Sequence, residues 1–301
     1  MLTNYPMGIS SFGIPLYGPG SYDTSGTIYF VDTNSGKDSN DGFSWAKAKK
    51  TLTHTLALSH ADIGRGSDRW ARRNTIFLAG DWFTENLIAG AQKTDVIGVG
   101  SCDSYKGPGI RGNHAPVNAC SGMRWINVNF QPAAATDTMI LSSAASGVEF
   151  HNCTFIANYG VYVSPSAIQS TASPLLKIIN CTFEGAYTGD VIDICAGDAS
   201  GTQIVGNEIR GGANDGIVVS GVATVAGQSS RGLIADNYIQ VAAVTINTRA
   251  VSVFNCYNNR CISAEAVGDS SFVIDPTFAV GNIITGADAA TTWPVILART
   301  T

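Results

Sequence analysis

Three aspartates are the residues of this chain whose type and spacing best suit chemistry. Asp190 and Asp193 lie in the segment DVIDI, and Asp215 lies in the segment NDG. Glycoside cleavage uses two carboxyl groups on one face, roughly 5 to 9.5 Å apart. Asp190 and Asp193 would face opposite sides of one straight strand, whereas Asp190 and Asp215 would stack on neighbouring strands about 5 Å apart. They are weak catalytic candidates, because an Asp at such a position more often begins a strand after a turn.

Other side chains that bind metals or act as nucleophiles do not cluster in the sequence. The seven Cys show no paired spacing, and Cys153 and Cys181 occupy one position of a repeat. That pattern predicts core thiols in a protein that folds in a reducing cytoplasm, rather than zinc ligands. The segment DSNDG at 38–42 is similar to a calcium loop, but its spacing is one residue short and the final Glu is missing. We therefore predict no metal and no cofactor.

The three aspartates lie within a sequence repeat, and the structure of that repeat must determine their positions. Seven six-residue windows start 22 to 30 residues apart, with a large apolar residue first in all but one and Phe or Ile last. The windows are Trp125–Phe130, Phe150–Phe155, Ile178–Phe183, Ile204–Ile209, Ile234–Ile239, Tyr257–Ile262 and Ala279–Ile284. Their third residues are Asn127, Asn152, Asn180, Gly206, Asp236, Asn259 and Gly281. These residue types tolerate a left-handed backbone, so the third position predicts a structural corner between two strands.

One corner per window indicates one turn of a coil, and the sequence therefore predicts an all-β, single-stranded, right-handed parallel β-helix. The fourth residue of each window should point inward with the sixth. Those fourth residues are Val128, Cys153, Cys181, Asn207, Asn237, Arg260 and Asn282. Stacked Asn side chains could hydrogen-bond along such a row, and Arg260 indicates a local irregularity. An antiparallel sandwich is the alternative, but its turns would not repeat one residue class at this interval.

Composition limits the partners. Charged residues make up only 14% of the chain and the net charge is −5, which argues against nucleic-acid binding. A solitary solenoid would keep its outer faces charged. We therefore expect a homotrimer, because closed threefold symmetry is the simplest way to pack three parallel solenoids. The first residues lack the pattern of a secretory signal, and no stretch reaches the length of a membrane span.

The ends of the chain differ from the repeat. Residues 1–26 contain Pro, Gly and aromatic residues without periodicity, and we predict that they dock onto a partner in extended form. The proposed docking residues are Asn4, Tyr5, Pro6, Phe12, Ile14, Pro15, Leu16 and Tyr17. Residues 27–301 are predicted to form the β-helix, with an N-terminal cap at about 27–73 and a C-terminal cap at about 285–301. Within the first cap, Ser44 should begin a helix that runs from about Trp45 to His60.

Two segments resemble known proteins. YFVDTNSGKDSNDGFSWAKAKKTL followed by IFLAGDWFTENL resembles the opening of pectin-lyase-like right-handed parallel β-helix proteins, over residues 27 to about 290. NYPMGISSFGIPLYGPG is similar to N-terminal peptides of virion proteins from tailed bacteriophages. Enzymes of the β-helix superfamily use calcium with acidic and basic residues, or paired Asp residues with a Gly-His-Gly segment. None of the four His lies in such a segment.

Together these features predict a bacteriophage virion structural protein. We expect a homotrimeric β-helix that decorates the particle surface, as a head decoration or a small spike, with a stabilising or adhesive role and no enzymatic activity. It would be made in the host cytoplasm and bind other virion proteins through its N-terminal peptide. A host surface glycan is a further expected partner; nucleic acid and membrane insertion are not expected. The alternative is a tailspike glycosidase or lyase that degrades polysaccharide.

Overall fold

The chain winds into coils whose strands stack in register along three sheets. The computed structural model describes residues 9–11, 14–17, 26–64, 72–87, 90–100, 107–114, 120–143, 145–157, 163–195, 198–212, 214–220, 232–248, 254–263, 272–274, 278–285 and 292–295. Ahead of the solenoid, β1 (Ile9–Ser11) and β2 (Ile14–Tyr17) pair as a separate antiparallel sheet. The N-terminal peptide therefore folds back on itself within this stretch.

The remaining strands fall into three sheets. Sheet 1 contains β3 (Ile28–Asp32), β4 (Asn74–Ala79), β6 (Thr94–Gly98), β8 (Arg124–Ile126), β11 (Glu149–His151), β14 (Lys177–Ile179), β17 (Gln203–Val205), β20 (Gly232–Ala235), β23 (Phe254–Tyr257) and β26 (Phe278–Val280). Sheet 2 contains β5 (Trp82–Thr84), β7 (Gly109–Arg111), β9 (Asn129–Gln131), β12 (Thr154–Ala157), β15 (Thr182–Gly185), β18 (Glu208–Arg210), β21 (Tyr238–Val241), β24 (Arg260–Ser263), β27 (Asn282–Thr285) and β28 (Thr292–Val295). Sheet 3 contains β10 (Ile140–Ser143), β13 (Ile168–Thr171), β16 (Ile192–Cys195), β19 (Ile217–Ser220), β22 (Ile246–Thr248) and β25 (Phe272–Ile274).

Each full coil crosses the three sheets in turn. A strand of sheet 1 leads through a corner into sheet 2, and a longer turn then leads into sheet 3. Each strand lies beside its equivalent in the next coil, and six coils contribute a strand to all three sheets. Every strand pair of the solenoid in the described residues is parallel except β27 with β28. The prediction of a parallel β-helix is therefore confirmed.

Backbone dihedral angles locate the corners between sheets 1 and 2. At this corner, one residue in each of seven successive coils has a φ between 51° and 73°. These residues are Asn127, Asn152, Asn180, Gly206, Asp236, Asn258 and Gly281. Asn, Asp and Gly adopt this left-handed conformation at little cost, since their side chains are short and polar or absent.

The sixth corner is Asn258, and not Asn259 as the sequence predicts. The strand register pairs Ile234 with Cys256, so this coil begins one residue earlier than the window that starts at Tyr257. Two successive Asn residues made either frame possible, and the core selected the frame that buries the small thiol of Cys256. In this frame Arg260 faces outward and is exposed, which explains why it did not fit an inward row.

The shifted frame completes a ladder of four buried asparagines. Asn207, Asn237, Asn259 and Asn282 lie directly above one another, and each is at most 2% exposed. The Asn237 Nδ2 donates to Asn259 Oδ1 at 2.9 Å and to the carbonyl oxygen of Ile204 at 2.9 Å. The backbone N–H of Asn237 also donates to Asn259 Oδ1, at 3.1 Å. The pattern repeats one coil on either side, so buried amides that would otherwise be costly link successive coils.

Earlier coils replace the amides with thiols and stack aromatic rings. Cys153 and Cys181 occupy the ladder position, and each donates its Sγ hydrogen to backbone carbonyl oxygens. Phe155 stacks on Phe130 and on Phe183, with ring centroids 4.9 and 4.7 Å apart. The stacked rings are buried, and such contacts add to the apolar burial that holds neighbouring coils together.

The helix that covers the N-terminal end of the solenoid begins later than predicted. Residues Trp45–Lys47 form only a short 3-10 turn, and α1 spans Leu52–Ile63. The interruption lies at Lys49, whose backbone is held in an extended conformation against β3. Its N–H donates to the carbonyl oxygen of Phe30, and its own carbonyl oxygen accepts from the N–H of Asp32, both at 2.9 Å. A helix cannot pass through a residue bound in this way.

Two carboxylates fix the position of α1. Glu85 accepts the N–H groups of Leu52 and Thr53 at 2.9 and 2.8 Å, so it satisfies donors that the first turn leaves unpaired. Asp38, from the segment similar to a calcium loop, accepts the N–H groups of Lys50 and Thr51. Leu52 and other apolar residues of α1 are buried against the first strands. No helix among the residues that the structure describes is long and apolar enough to cross a membrane.

Candidate functional site

Asp190 and Asp215 occupy equivalent turns of neighbouring coils. Each lies two residues before a strand of sheet 3, and the register pairs Ile192 with Ile217. The Asp190 Oδ1 accepts the backbone N–H of Asp215 at 3.3 Å, and the Asp215 Oδ1 accepts the N–H of Val244 at 3.1 Å. The two side chains therefore perform the same task on successive coils, since each carboxylate binds the turn that follows it.

Asp193 lies on the strand rather than in the turn. Its Oδ2 accepts the Gln169 Nε2 at 3.2 Å on the outer face of sheet 3, and its Oδ1 is buried without a hydrogen-bond partner among the described residues. The Asp215 Oδ2 accepts the Asn247 Nδ2 at 2.9 Å. Both carboxylate oxygens of Asp215 are thus bound by the solenoid, and the hydrogen bonds of Asp190 and Asp215 hold turns rather than a substrate position.

Nucleophilic side chains offer no clear alternative. Five of the six Cys that the structure describes are buried, and Cys195 is partly exposed. Burial, together with the carboxylate of Asp193, raises the pKa of the Cys195 thiol to about 11, so the reactive thiolate is scarce at neutral pH. Among the described residues no three His, Cys, Asp or Glu side chains lie close enough together to hold a metal ion.

The outer face of sheet 2 carries a shallow groove of about 370 Å³. Glu184, Arg210 and Gln240 stand along it on three neighbouring strands. Beside it, the ring of Tyr238 lies 5.7 Å from the guanidinium carbons of both Arg210 and Arg260, and the Tyr238 hydroxyl donates to Gln240 Oε1 at 3.2 Å. Guanidinium, amide and hydroxyl groups around an aromatic ring can bind the hydroxyl groups of a sugar.

Sequence reasoning did not find this groove, although the signal was present. In each window the fifth residue and the residue two positions after it point outward, because the fourth and sixth point inward. Glu208 and Arg210 follow Gly206 in this way, and Tyr238 and Gln240 follow Asp236. The outward positions vary in type from coil to coil, so they did not stand out as a column.

The outer face of sheet 1 presents two columns of side chains. We call the column next to the corners the apolar stripe. In register order it contains Phe30, Phe77, Ile97, Ile126, His151, Ile179, Val205, Ala235, Tyr257 and Val280. Over these ten strands it contains no Asp, Glu, Lys or Arg. Ile97 and Ala235 are buried and the others are half-buried or exposed, up to 52% at Val280.

We call the second column of sheet 1 the charged column, and its four charged residues are paired within the chain. In register order it contains Ile28, Thr75, Asp95, Arg124, Glu149, Lys177, Gln203, Leu233, Asn255 and Phe278. Asp95, whose side chain is fully buried, binds Arg73 at 2.7 Å and Arg124 at 2.5 Å. Two coils further on, Glu149 binds Lys177 and His151, each at 2.8 Å. The hydrogen bond from His151 and the ammonium of Lys177 lower the pKa of the Glu149 carboxyl to about 2, against the opposing effect of burial.

The predicted docking residues are only partly described. Asn4, Tyr5, Pro6 and Phe12 lie outside the described residues, and 14–17 form β2. With the groove, the apolar stripe and the carboxylates located, the chain can be compared with known proteins. No family model, curated protein or solved structure matches it.

Proposed function

We propose that the protein is a structural and adhesive component of a bacteriophage particle, a homotrimeric β-helix that decorates the particle surface as a head decoration or a small spike. The resemblance of residues 27 to about 290 to pectin-lyase-like β-helix proteins supports a scaffold of this kind. The resemblance of the N-terminal peptide to virion proteins supports its attachment to a particle. In this proposal, residues 1–26 bind other virion proteins and the solenoid projects from them.

One observation favours a structural role over the glycosidase or lyase alternative. The carboxylates of Asp190 and Asp215, which the sequence offers as a catalytic pair, accept backbone N–H groups of the next coil at 3.3 and 3.1 Å. Asp215 is further bound by Asn247. An acid and a base for glycoside cleavage must instead present oxygens to the glycosidic bond and to water. Both side chains are engaged in holding turns.

The adhesive part of the proposal concerns the groove on sheet 2. Its Glu184, Arg210 and Gln240 offer both donors and acceptors, and Tyr238 with Arg260 extends the polar surface beyond the groove. Such a set matches the hydroxyl groups of a host surface glycan. Because the groove is shallow, we expect weak binding at one groove and useful affinity only when several grooves bind together.

Attachment is tested by deleting residues 1–24. The truncated protein should keep its far-UV circular dichroism spectrum and lose association with phage particles in a pelleting assay, whereas the full chain pellets with them. Gold-labelled antibodies against the full chain should mark the surface of intact particles. Absence of labelling on particles, or truncated protein that still pellets, would refute the proposed place of the protein.

The enzyme alternative is tested by incubating the full chain with host capsule or lipopolysaccharide. The proposal predicts no release of reducing ends or unsaturated sugars. Release that disappears in Asp215→Asn and Asp193→Asn, but persists in the groove variant Gln240→Ala, would make the protein an enzyme with its centre on sheet 3. Glycan binding that Gln240→Ala weakens, without any cleavage, supports adhesion.

A further inference from the structure

The apolar stripe is unusual for the outer face of a protein. Surfaces of soluble proteins are normally mixed with charge, and large contiguous apolar patches mark interaction sites. Ten strands at about 4.8 Å spacing make the stripe about 43 Å long. At its N-terminal end Trp45 packs on Phe30, with ring centroids 4.8 Å apart, yet Trp45 itself remains 42% exposed. The stripe therefore runs along nearly the whole described solenoid.

The charged column beside the stripe does not require a partner. Asp95 is bound by two arginines of its own chain, and Glu149 is bound by Lys177 and His151. Because both acids are bound within the chain, the column brings no unpaired carboxylate to an approaching surface, and Asp95 with its two arginines keeps one net positive charge. A partner on this face would gain by covering the stripe, and desolvating neighbouring charges that already have partners costs less than desolvating unpaired charges.

The pattern of the stripe points to copies of the same chain as the partner. In a closed ring of parallel solenoids, each residue nearest the axis meets its own copies at the same height. Asp, Glu, Lys or Arg at such a position would place like charges together, whereas apolar side chains would bury one another. A column that lacks all four charged types on ten successive strands meets this requirement, and its one titratable side chain with a basic ring, His151, is bound to Glu149 of its own chain.

The width of the stripe favours three chains over two. A single column is about 7 Å wide, the distance between residues two apart on a strand, and with a length of about 43 Å it offers roughly 300 Å² per chain. This is below the about 800 Å² per partner of a standard interface. In a threefold ring each chain contacts two neighbours, so surfaces on both sides of the stripe are also covered. We propose that three copies assemble in parallel with the apolar stripe of sheet 1 facing the threefold axis.

This proposed interface rests on the proposed function only in assuming a homotrimer. It can therefore be tested on purified protein, without phage particles. Light scattering on the purified full chain should give three times the 31.4 kDa of one chain. The decisive variant is Val205→Glu, in the stripe on β17. Its matched control is Gln203→Glu, on the same strand and outer face but in the charged column. Both residues are half-buried, so each single chain can accept the new carboxylate.

We expect Val205→Glu to raise the dissociation constant of the trimer at least 100-fold and Gln203→Glu less than tenfold, with both variants keeping the wild-type circular dichroism spectrum. In Val205→Cys, mild oxidation should form a disulfide between two chains of a trimer, because the introduced thiols of the three copies would lie at the same height near the axis. Gln203→Cys should form fewer such links.

Three results would overturn the proposal. They are a monomeric wild-type chain at micromolar concentration, an oligomer that Val205→Glu leaves intact, and Val205→Cys chains that do not cross-link. If deletion of residues 1–24 from a monomeric chain uncovers an apolar dye-binding surface, the stripe is covered by the chain's own N-terminal peptide, and the proposal is wrong. If the interface tests fail but the protein still associates with particles, the proposed virion role is retained. If the protein forms the trimer but is absent from particles, the proposed interface is retained and the virion role is wrong.

Discussion

Replacing Asn259 by Ala tests whether the asparagine ladder stabilises the solenoid. The change removes four hydrogen bonds. The Asn259 Nδ2 donates to Asn282 Oδ1 at 2.8 Å and to the Ile234 carbonyl oxygen at 3.0 Å, and the Asn259 Oδ1 accepts the N–H and the Nδ2 of Asn237 at 3.1 and 2.9 Å. At about 1 kcal/mol net per bond, and with two donors of Asn237 left buried without acceptors, we expect a loss of about 3–5 kcal/mol.

The adjacent residue supplies the control. Asn258 is exposed and has a φ of 51°, so Asn258→Gly keeps the corner and should change stability by less than about 1 kcal/mol. Urea unfolding followed by circular dichroism gives the global difference between the two variants. Because solenoids can open locally, hydrogen exchange at the N–H of Asn237 should also accelerate in Asn259→Ala alone. Equal losses for both variants, or a loss below 1 kcal/mol for Asn259→Ala, would refute this account.

Two further predictions concern buried titratable groups. Burial lowers the pKa of His114 to about 3, so from about pH 6.5 down to 3 the unfolded chain binds a proton that the folded chain does not, and stability should fall by about 1.4 kcal/mol per pH unit. Urea unfolding should show a loss of about 0.7 kcal/mol from pH 7 to 6 and about 1.2 kcal/mol from pH 6 to 5, and an equal loss in His114→Gln would contradict it. Burial also raises the pKa of Cys256 and Cys261 to about 12. Mass mapping after thiol labelling at pH 8 should find them unmodified in native protein and modified after unfolding, and rapid native labelling would contradict their burial.

The repeat made the β-helix predictable because its corner needs a particular backbone conformation. Few residue types adopt a φ near 55° at little cost, and that preference leaves a visible column in the sequence. The error at Asn259 has the same origin. Asn258 and Asn259 both satisfy the corner rule, and only the strand register shows that Cys256 and Cys261 fill the core positions. The backbone preference of Asn located this coil but could not determine which of the two Asn residues forms its corner.

The surfaces were harder to predict than the corners. An outward residue of sheet 1 can be apolar or charged without changing the corner. The local sequence therefore does not show that Val205 belongs to an apolar column and Gln203 to a polar one. The apolar stripe becomes visible only when the register aligns ten strands that are distant in sequence. The start of α1 was missed for a related reason, since the backbone contact between Lys49 and β3 joins segments that no helical pattern connects.

The asparagine ladder also affects how the length of this protein can change. Each ladder coil accepts hydrogen bonds from the coil before it and donates them to the coil after it through the same side-chain oxygen and nitrogen. A duplicated coil that carries its Asn in frame would therefore fit between Asn207 and Asn282 without any other change, and a deleted coil would let its neighbours rejoin. At Cys181 only the backbone N–H makes this contact, to Asn207 Oδ1 at 2.8 Å, and the thiols of Cys153 and Cys181 donate to backbone carbonyl oxygens instead. The C-terminal half is thus the part in which evolution or design can lengthen or shorten the molecule one coil at a time.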